Sequence, residues 1–455
     1  MNKKKETILH GIIVLMISQF FVKIIGFFYK LYLTNKEGFG DTGNAIYSGG
    51  FQIYVLLLTL SSTGISNAIS KMLSERLANG KKNEANRIFK IAFVIFGVIG
   101  ACSSFVLFLL AKIIANKWLQ IPEAHISLIC LSPSIFFVTL SSVFKGFFNG
   151  GQFFSETAKA QTIEQILKTV LTIVMVEFSV LLTGLNTRIM AGAANLATTF
   201  ATGICFFYIL KCYRKIKNEK FFNINSKVEI NSITKREILK EILNVAMPIS
   251  IGSLLSSFNK NIDSFTIVRF LKNYLSEENA KIQYGILSGK VDTLCNLPFS
   301  FNVAFVTTLV PSIAKSMAKN NIFEIKKKTK IFLLISFFIS IPITLGMFLF
   351  PSQILYILFP NAKEGSLYLK YNSLCIVFML LTQTINGILQ GMGKVKIPII
   401  SFGIGMIFKF LCNIFLIPIK KIGIFGAIIG NIICNVIAFL ISFLALFKYC
   451  KKENC

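Results

Sequence analysis

Lysines and carboxylates recur inside stretches of this chain that are otherwise apolar. Lys23 and Lys30 fall in one stretch, Glu164, Lys168 and Glu177 in a second, Lys260, Asp263 and Arg269 in a third, Lys290 and Asp292 in a fourth, and Lys409 in a fifth. An ionisable group at the centre of a bilayer costs about 2.5–3.5 kcal/mol on insertion scales, so groups in this number face a hydrated interior or one another rather than lipid. Lys30, Arg269 and Lys290 lie near segment ends, where a lysine or arginine stem can reach the interface, and Lys260 and Asp263 have the i, i+3 spacing of an internal pair. Lys23, Lys168 and Lys409 have no such exit, and the partner in reach on the same helix is Glu164, four residues before Lys168. A net cationic interior selects an anion, and phosphate or pyrophosphate is the commonest anion carried by a membrane-borne molecule. The candidate binding set is therefore Lys23, Lys30, Lys290, Lys168, Lys409 and Glu164.

Covalent chemistry has little to stand on. His10 and His125 fall in different segments, and no HExxH, GxSxG or Walker sequence occurs, so no metal centre, nucleophilic triad or nucleotide site is expected. Ten cysteines are scattered from Cys102 to Cys455 without a CxxC pair, and read as small apolar side chains rather than disulfides or metal ligands. The chain is expected to be a non-enzyme without cofactor.

The elements that position these charges are helices in lipid. Hydrophobic residues fill 54% of the 455 positions and charged residues 15%, a balance far from that of a soluble domain. Apolar segments long enough to cross roughly 30 Å of hydrocarbon recur at 8–33, 43–68, 88–114, 124–146, 155–183, 187–212, 240–270, 284–314, 330–350, 366–391, 397–417 and 423–447. The loops between them leave no room for a soluble catalytic domain. The expected fold is all-α: a polytopic membrane protein of about twelve transmembrane helices.

The net charge of +28 is unevenly placed. Alternate loops collect it: Lys3 to Lys5, Lys71 to Arg87, Lys211 to Arg236, Lys315 to Lys330 and Lys448 to Lys452, while the intervening loops hold few basic residues. The positive-inside rule then puts both termini in the cytoplasm of a multi-pass cell-membrane protein, in keeping with an even helix count. Anionic membrane lipids, not nucleic acid, are the expected partners of these loops.

The chain also repeats itself. Ser48-Gly49 returns as Ser288-Gly289, displaced by 240 residues, and Phe144-Lys145-Gly146-Phe147-Phe148-Asn149-Gly150 returns as Ile385-Asn386-Gly387-Ile388-Leu389-Gln390-Gly391, displaced by 241, which also carries Lys168 onto Lys409. The expected organisation is a six-helix bundle over 1–213, a basic cytoplasmic linker over 214–237 and a second six-helix bundle over 238–455, related as a parallel internal repeat. Two such bundles can rock about a central cavity and open it to each side in turn.

At this point the sequence resembles a known family. The stretch from Phe51-Gln52-Ile53-Tyr54 to Ser66-Asn67-Ala68-Ile69-Ser70-Lys71 is similar to the second helix of the branch of the multidrug/oligosaccharidyl-lipid/polysaccharide exporter superfamily that holds stage V sporulation protein B and the MurJ-like flippases. Lys145-Gly146-Phe147-Phe148-Asn149-Gly150, running on to Thr157-Ala158 and Ile163-Glu164-Gln165, resembles that family's glycine-rich turn and following stretch, with Glu156 where the family has proline. Gly387 to Lys394 with Pro398, Lys409 and Asn413 resembles its tenth and eleventh helices, and Asn296-Leu297-Pro298 with Leu309-Val310-Pro311 its eighth. The resemblance spans essentially the whole chain, with twelve helices where the MurJ-like branch usually has fourteen. It implies flipping or export of a polyprenyl-pyrophosphate-linked saccharide, with Lys23 at the basic position of the first helix and Lys290 as a match for the eighth. It also implies enzymes of cell-wall or polysaccharide synthesis as partners. The superfamily's cation-coupled drug antiporters are the alternative, although their coupling uses a carboxylate in an apolar bundle and the first helix here offers lysines. A membrane glycosyltransferase would need a sizeable external loop with acid and base residues, which these loops lack.

Overall fold

The computed structural model describes residues 8–218, 235–318 and 321–452. Most of the 214–237 linker, with Lys220 and Lys227, lies outside these residues, as do Lys3 to Lys5 and Lys319. The described chain is helical throughout, with a helix at each of the twelve apolar segments.

The helices are α1 (Ile8–Asn35), α2 (Gly40–Ala78), α3 (Lys82–Ile113), α4 (Ala124–Gly150), α5 (Phe154–Thr183), α6 (Thr187–Asn218), α7 (Lys235–Leu271), α8 (Glu277–Gly285), α9 (Asp292–Ala318), α10 (Ile322–Leu349), α11 (Pro351–Leu358), α12 (Ser366–Asn372), α13 (Cys375–Gly391), α14 (Lys396–Leu416) and α15 (Phe425–Lys452). Two π-helical turns interrupt this regularity, Ile114–Leu119 after α3 and Ile286–Val291 between α8 and α9. Nine spans among the described residues are long and apolar enough to cross a membrane. Chain reversals fall where the backbone permits them: Gly184, with φ +69°, closes α5 in a conformation that a side chain would strain.

Contacts divide the chain into two compact units. Unit 1 takes the residues up to Tyr29 and Gly49–Asn261; unit 2 takes Lys30–Ser48 and the residues from Ile262 onward. In unit 1, α4 packs on α3 and α6, and α5 on α6; in unit 2, α13 packs on α9 and α15, and α14 on α15. The core of unit 1 is aromatic, with Phe89 against Phe147 at 5.0 Å and against Tyr213 at 4.8 Å between ring centroids. Aliphatic side chains, among them Leu309, Ile313, Ile388 and Leu389, fill the equivalent place in unit 2.

The repeat read from the sequence reappears as packing. Gly146 and Gly150 of α4 lie on α2 so closely that a Cβ on Gly146 would meet Ser66 O at 2.7 Å, and one on Gly150 would meet Ser70 O at 2.8 Å and Leu73 Cβ at 2.9 Å. Gly387 and Gly391 of α13 lie on α9 in the same way: a Cβ on Gly391 would meet Val310 O at 2.9 Å and Ile313 Cβ at 2.8 Å. Val310 and Ile313 stand 240 residues after Ser70 and Leu73. Small residues four apart let helix backbones approach where lipid supplies no hydrophobic drive. Replacing Gly150 or Gly391 by leucine should therefore destabilise its own unit by about 1–3 kcal/mol, read as a lower melting temperature of the detergent-purified protein, while leucine at Gly403, whose Cβ position is open, should leave it near the parent value.

Candidate substrate-binding site

Unit 1 gathers three lysines. Lys23, near the middle of α1, is exposed, as is Lys260 on α7, whereas Lys168 on α5 is buried at 8% exposure. Lys260 and Lys168 are the charges that bear on Lys23, and both repel it. α1 offers no relief, since it carries no acidic residue between Ile8 and Asn35. Nor does Glu164: its carboxylate turns away from Lys168 and accepts from Lys145 Nζ of α4 at 3.3 Å. Lys168 Nζ instead lies over two rings, 4.2 Å from the centroid of Phe51 on α2 and 5.2 Å from that of Tyr29 on α1. Among the described residues no carboxylate comes within ion-pair distance of Lys168. A desolvated ring face is worth about 2 kcal/mol to an ammonium, less than the several kcal/mol that burying the ion costs.

Unit 2 treats its lysines differently. Lys290 sits on the π-helical turn Ile286–Val291 at 0% exposure and donates to Asp41 Oδ2 at 2.9 Å and to the Ala362 carbonyl at 2.7 Å. It is a closed ion pair, not the snorkelling lysine that its position near a segment end suggested. Asp41 stands in the first turn of α2, where the helix dipole favours a carboxylate, and Lys30 and Glu364 add their fields to it. Lys30 is buried with its ammonium 4.7 Å from the Tyr47 ring centroid. Gly289 permits the close approach, since a Cβ there would collide with the Asn44 side chain.

The second pair of unit 2 joins α14 to α7. Lys409 Nζ donates to Asp263 Oδ2 at 2.6 Å, and Asn413 Nδ2 donates to Asp263 Oδ1 at 3.0 Å and to Thr266 Oγ1 at 2.8 Å. Asp263 thus serves Lys409 on another helix, not Lys260 three residues away. Of the six sequence candidates, Lys23, Lys168 and Glu164 belong to unit 1, and Lys30, Lys290 and Lys409 to unit 2. Lys23 and Lys168 come together, while Lys290 and Lys409 are each held in a separate ion pair. Sequence reasoning missed Asp41 and Lys145. Both pair with residues on other helices, Asp41 across 249 positions of chain, and no local period announces such partners.

Fold and site define a polytopic helical membrane transporter in which unit 1 brings Lys168 and Lys260 to bear on Lys23 and unit 2 encloses Lys290 and Lys409 with aspartates. The chain belongs to the polysaccharide biosynthesis protein family, which matches residues 8–317, and a segment at 290–415 also matches the MatE family. Among curated relatives, "Lipid II flippase MurJ" of Bacillus subtilis (strain 168) is 24% identical over 437 residues, covering 91% of this chain and 78% of the relative. The fold is similar to that of a solved structure titled "Inward-facing conformation of a multidrug resistance MATE family transporter of the MOP superfamily" (TM-score 0.73, 16% identity, 95% of each chain). It is also similar to a solved structure titled "Lipid II flippase MurJ, inward closed conformation" (TM-score 0.70, 18% identity, 95% of this chain and 87% of that one).

Removing one partner of a buried ion pair strands the other charge. Lys290→Ala should therefore destabilise unit 2 by about 3–5 kcal/mol, whereas Lys290→Met combined with Asp41→Leu should recover most of that loss. Chemical denaturation of the purified single and double variants measures the coupling, and additive losses would show that the pair contributes nothing.

Proposed function

We propose that this chain moves a polyprenyl-pyrophosphate-linked saccharide, of the lipid II or polysaccharide repeat-unit kind, across the cytoplasmic membrane by alternating access, with both termini in the cytoplasm. The observation that carries this reading is that Lys168 of α5 and Lys260 of α7 bear on Lys23, which stands on a first helix without a single carboxylate. A pyrophosphate joining a lipid to a sugar is a compact anion with several acceptor oxygens, and lysine meets it as a point charge. Exposed Lys23 draws the headgroup into a water-filled cavity, where Coulomb attraction is stronger than in bulk water. The substrate leaves as it entered, with no bond made or broken, so the chain acts as a transporter rather than an enzyme. Whole-chain similarity to a relative named as a lipid II flippase supports the same reading. Anionic lipids hold the basic loops, and enzymes that make or polymerise the saccharide would supply and consume the substrate.

The MatE match favours a second reading, a cation-coupled drug or metabolite antiporter. Such coupling needs a carboxylate able to take up a cation or a proton. The carboxylates of Asp41 and Asp263 are already tied to Lys290 and Lys409, which favours the flippase.

Charge, not fork geometry, should decide activity at Lys23. In a strain depleted of its own flippase, Lys23→Arg should retain most of the activity, Lys23→Ala should lose much of it, and Lys23→Glu should lose roughly tenfold or more, with protein levels in the membrane unchanged. Normal growth and translocation with Lys23→Glu would remove Lys23 from the substrate path. For the orientation, single cysteines at Gly80 and Asn361 on a cysteine-free background should respond differently to an impermeant thiol reagent in intact cells: protection at 80 and labelling at 361. The reverse pattern would invert the topology.

A further inference from the structure

Within unit 1, α3 and α4 touch at one level of the membrane and part at the next. Where they touch, a Cβ on Gly100 would meet Thr139 Cβ at 3.1 Å and Phe136 Cα at 3.4 Å. Beyond Gly100, toward the turn between the two helices, a groove of about 440 Å³ opens, a size in the range of ligand sites. Ala101, Phe105 and Phe108 line it from one face of α3, at i, i+4 and i+7, and Pro133, Phe136 and Phe137 line it from α4. Ser132 also borders the groove, but its hydroxyl is committed to the Ile129 carbonyl at 2.9 Å, the acceptor that Pro133 leaves open for want of an N–H. The groove faces lipid: α3 is largely unburied along its span, and Phe105 and Phe108 are exposed. Hydrocarbon rather than water therefore fills it.

The second repeat changes the residues that shape this groove. A displacement of 240 carries Glu84 and Lys90 of α3 onto Glu324 and Lys330 of α10, and with them Ala101 and Phe105 onto Ile341 and Leu345. The displacement of 241 that carries Gly146 and Gly150 of α4 onto Gly387 and Gly391 carries Pro133 and Phe136 onto Leu374 and Val377. Larger side chains replace the alanine and the proline, and two of the four rings are gone. Over a third ring, Phe348 at the place of Phe108, lies Lys370 Nζ at 4.9 Å from the centroid. The aromatic recess thus belongs to the repeat in which Lys168 and Lys260 bear on Lys23.

We propose that the groove between α3 and α4 holds the polyprenyl chain of the carried lipid. The proposal rests on the flippase reading and adds to it the path of the tail while the headgroup crosses. Each methylene drawn into water is costly, so a long tail stays in hydrocarbon throughout and travels along a lipid-facing surface of the protein. A polyprenyl chain is a row of flat, methyl-branched double bonds, which pack on the faces and edges of phenylalanine rings. A saturated phospholipid chain has neither planar groups nor branches to set against them.

The test compares, in proteoliposomes, the flipping of two pyrophosphate-linked saccharides that differ only in the tail, one long polyprenyl chain and one short one. Ala101 is exposed to lipid, so a tryptophan there fills the groove without entering the core. Ala101→Trp should lower the ratio of long-tail to short-tail flipping roughly tenfold. Val106→Trp, exposed on α3 but outside the lining, should keep the parent ratio. Equal losses on the two lipids, or a ratio that Ala101→Trp leaves unchanged, would overturn the proposal. Binding is read separately on the purified full-length protein with photoreactive benzoylphenylalanine in place of Phe105. It should crosslink a long polyprenyl phosphate in preference to an equimolar phospholipid, and Ala101→Trp should remove that preference. Equal labelling of the two by the parent groove marks an ordinary lipid contact and overturns the assignment. A parent protein that flips neither saccharide but keeps the preferential crosslink refutes the flippase reading and leaves the groove assignment standing.

Discussion

A charge inside the hydrocarbon layer has to be met by an opposite charge, by water or by a ligand, and the arrangement of this protein follows from how each of its lysines is met. Unit 2 uses the first solution twice. Lys290 is enclosed with Asp41 near the start of α2, and Lys409 with Asp263 on the C-terminal part of α7. Unit 1 uses it for Lys145 and Glu164. Lys168 and Lys260 both repel exposed Lys23, an arrangement that water or an anion entering there relieves. The scaffold that holds them is the same in both units: glycines four residues apart press α4 onto α2 and α13 onto α9 through equivalent atoms. The halves therefore share this glycine packing and differ in how their buried lysines are met.

The exchange of segments between the units bears on the same point. Lys30–Ser48, the end of α1 and the start of α2, is built into unit 2, where Asp41 receives Lys290 and Asn35 donates to the Leu358 carbonyl at 2.8 Å. Residues up to Asn261 of α7 are built into unit 1, where Asn261 Nδ2 donates to the Gln52 carbonyl at 3.2 Å and Arg76 pairs with Glu241 at 3.1 Å. α1 is thus cationic along the part that belongs to unit 1 and neutralised along the part that belongs to unit 2. Lys23 and Lys30 lie seven residues apart on one helix, yet Lys23 answers to Lys168 and Lys260 and Lys30 to Asp41.

Much of this was legible in the sequence, and the parts that were not share a physical cause. The twelve helical segments could be read because hydrocarbon thickness sets their length and leaves few charges inside them. The repeat could be read because close helix packing tolerates little besides glycine at Gly146, Gly150, Gly387 and Gly391, so the spacing survives where other side chains have diverged. Ion pairing was read poorly. The spacing of Glu164 and Lys168 fits an i, i+4 pair, and that of Lys260 and Asp263 an i, i+3 pair, but tertiary contacts override both: Lys145 reaches Glu164 from α4, and Lys409 reaches Asp263 from α14. The π-helical turn that aims Lys290 into its pair also leaves no signature in a pattern of apolar residues.

The central claim is that an anion on a lipid carrier is moved because unit 1 leaves positive charge open to receive it. Its most direct test compares two fluorescent lipids in proteoliposomes of the parent protein, one joining saccharide to polyprenol through a pyrophosphate and one through an uncharged ether, each followed by an impermeant quencher. The account predicts that the protein exposes inner-leaflet pyrophosphate-linked lipid to the quencher and leaves the uncharged lipid protected. Equal exposure of the two lipids would contradict it.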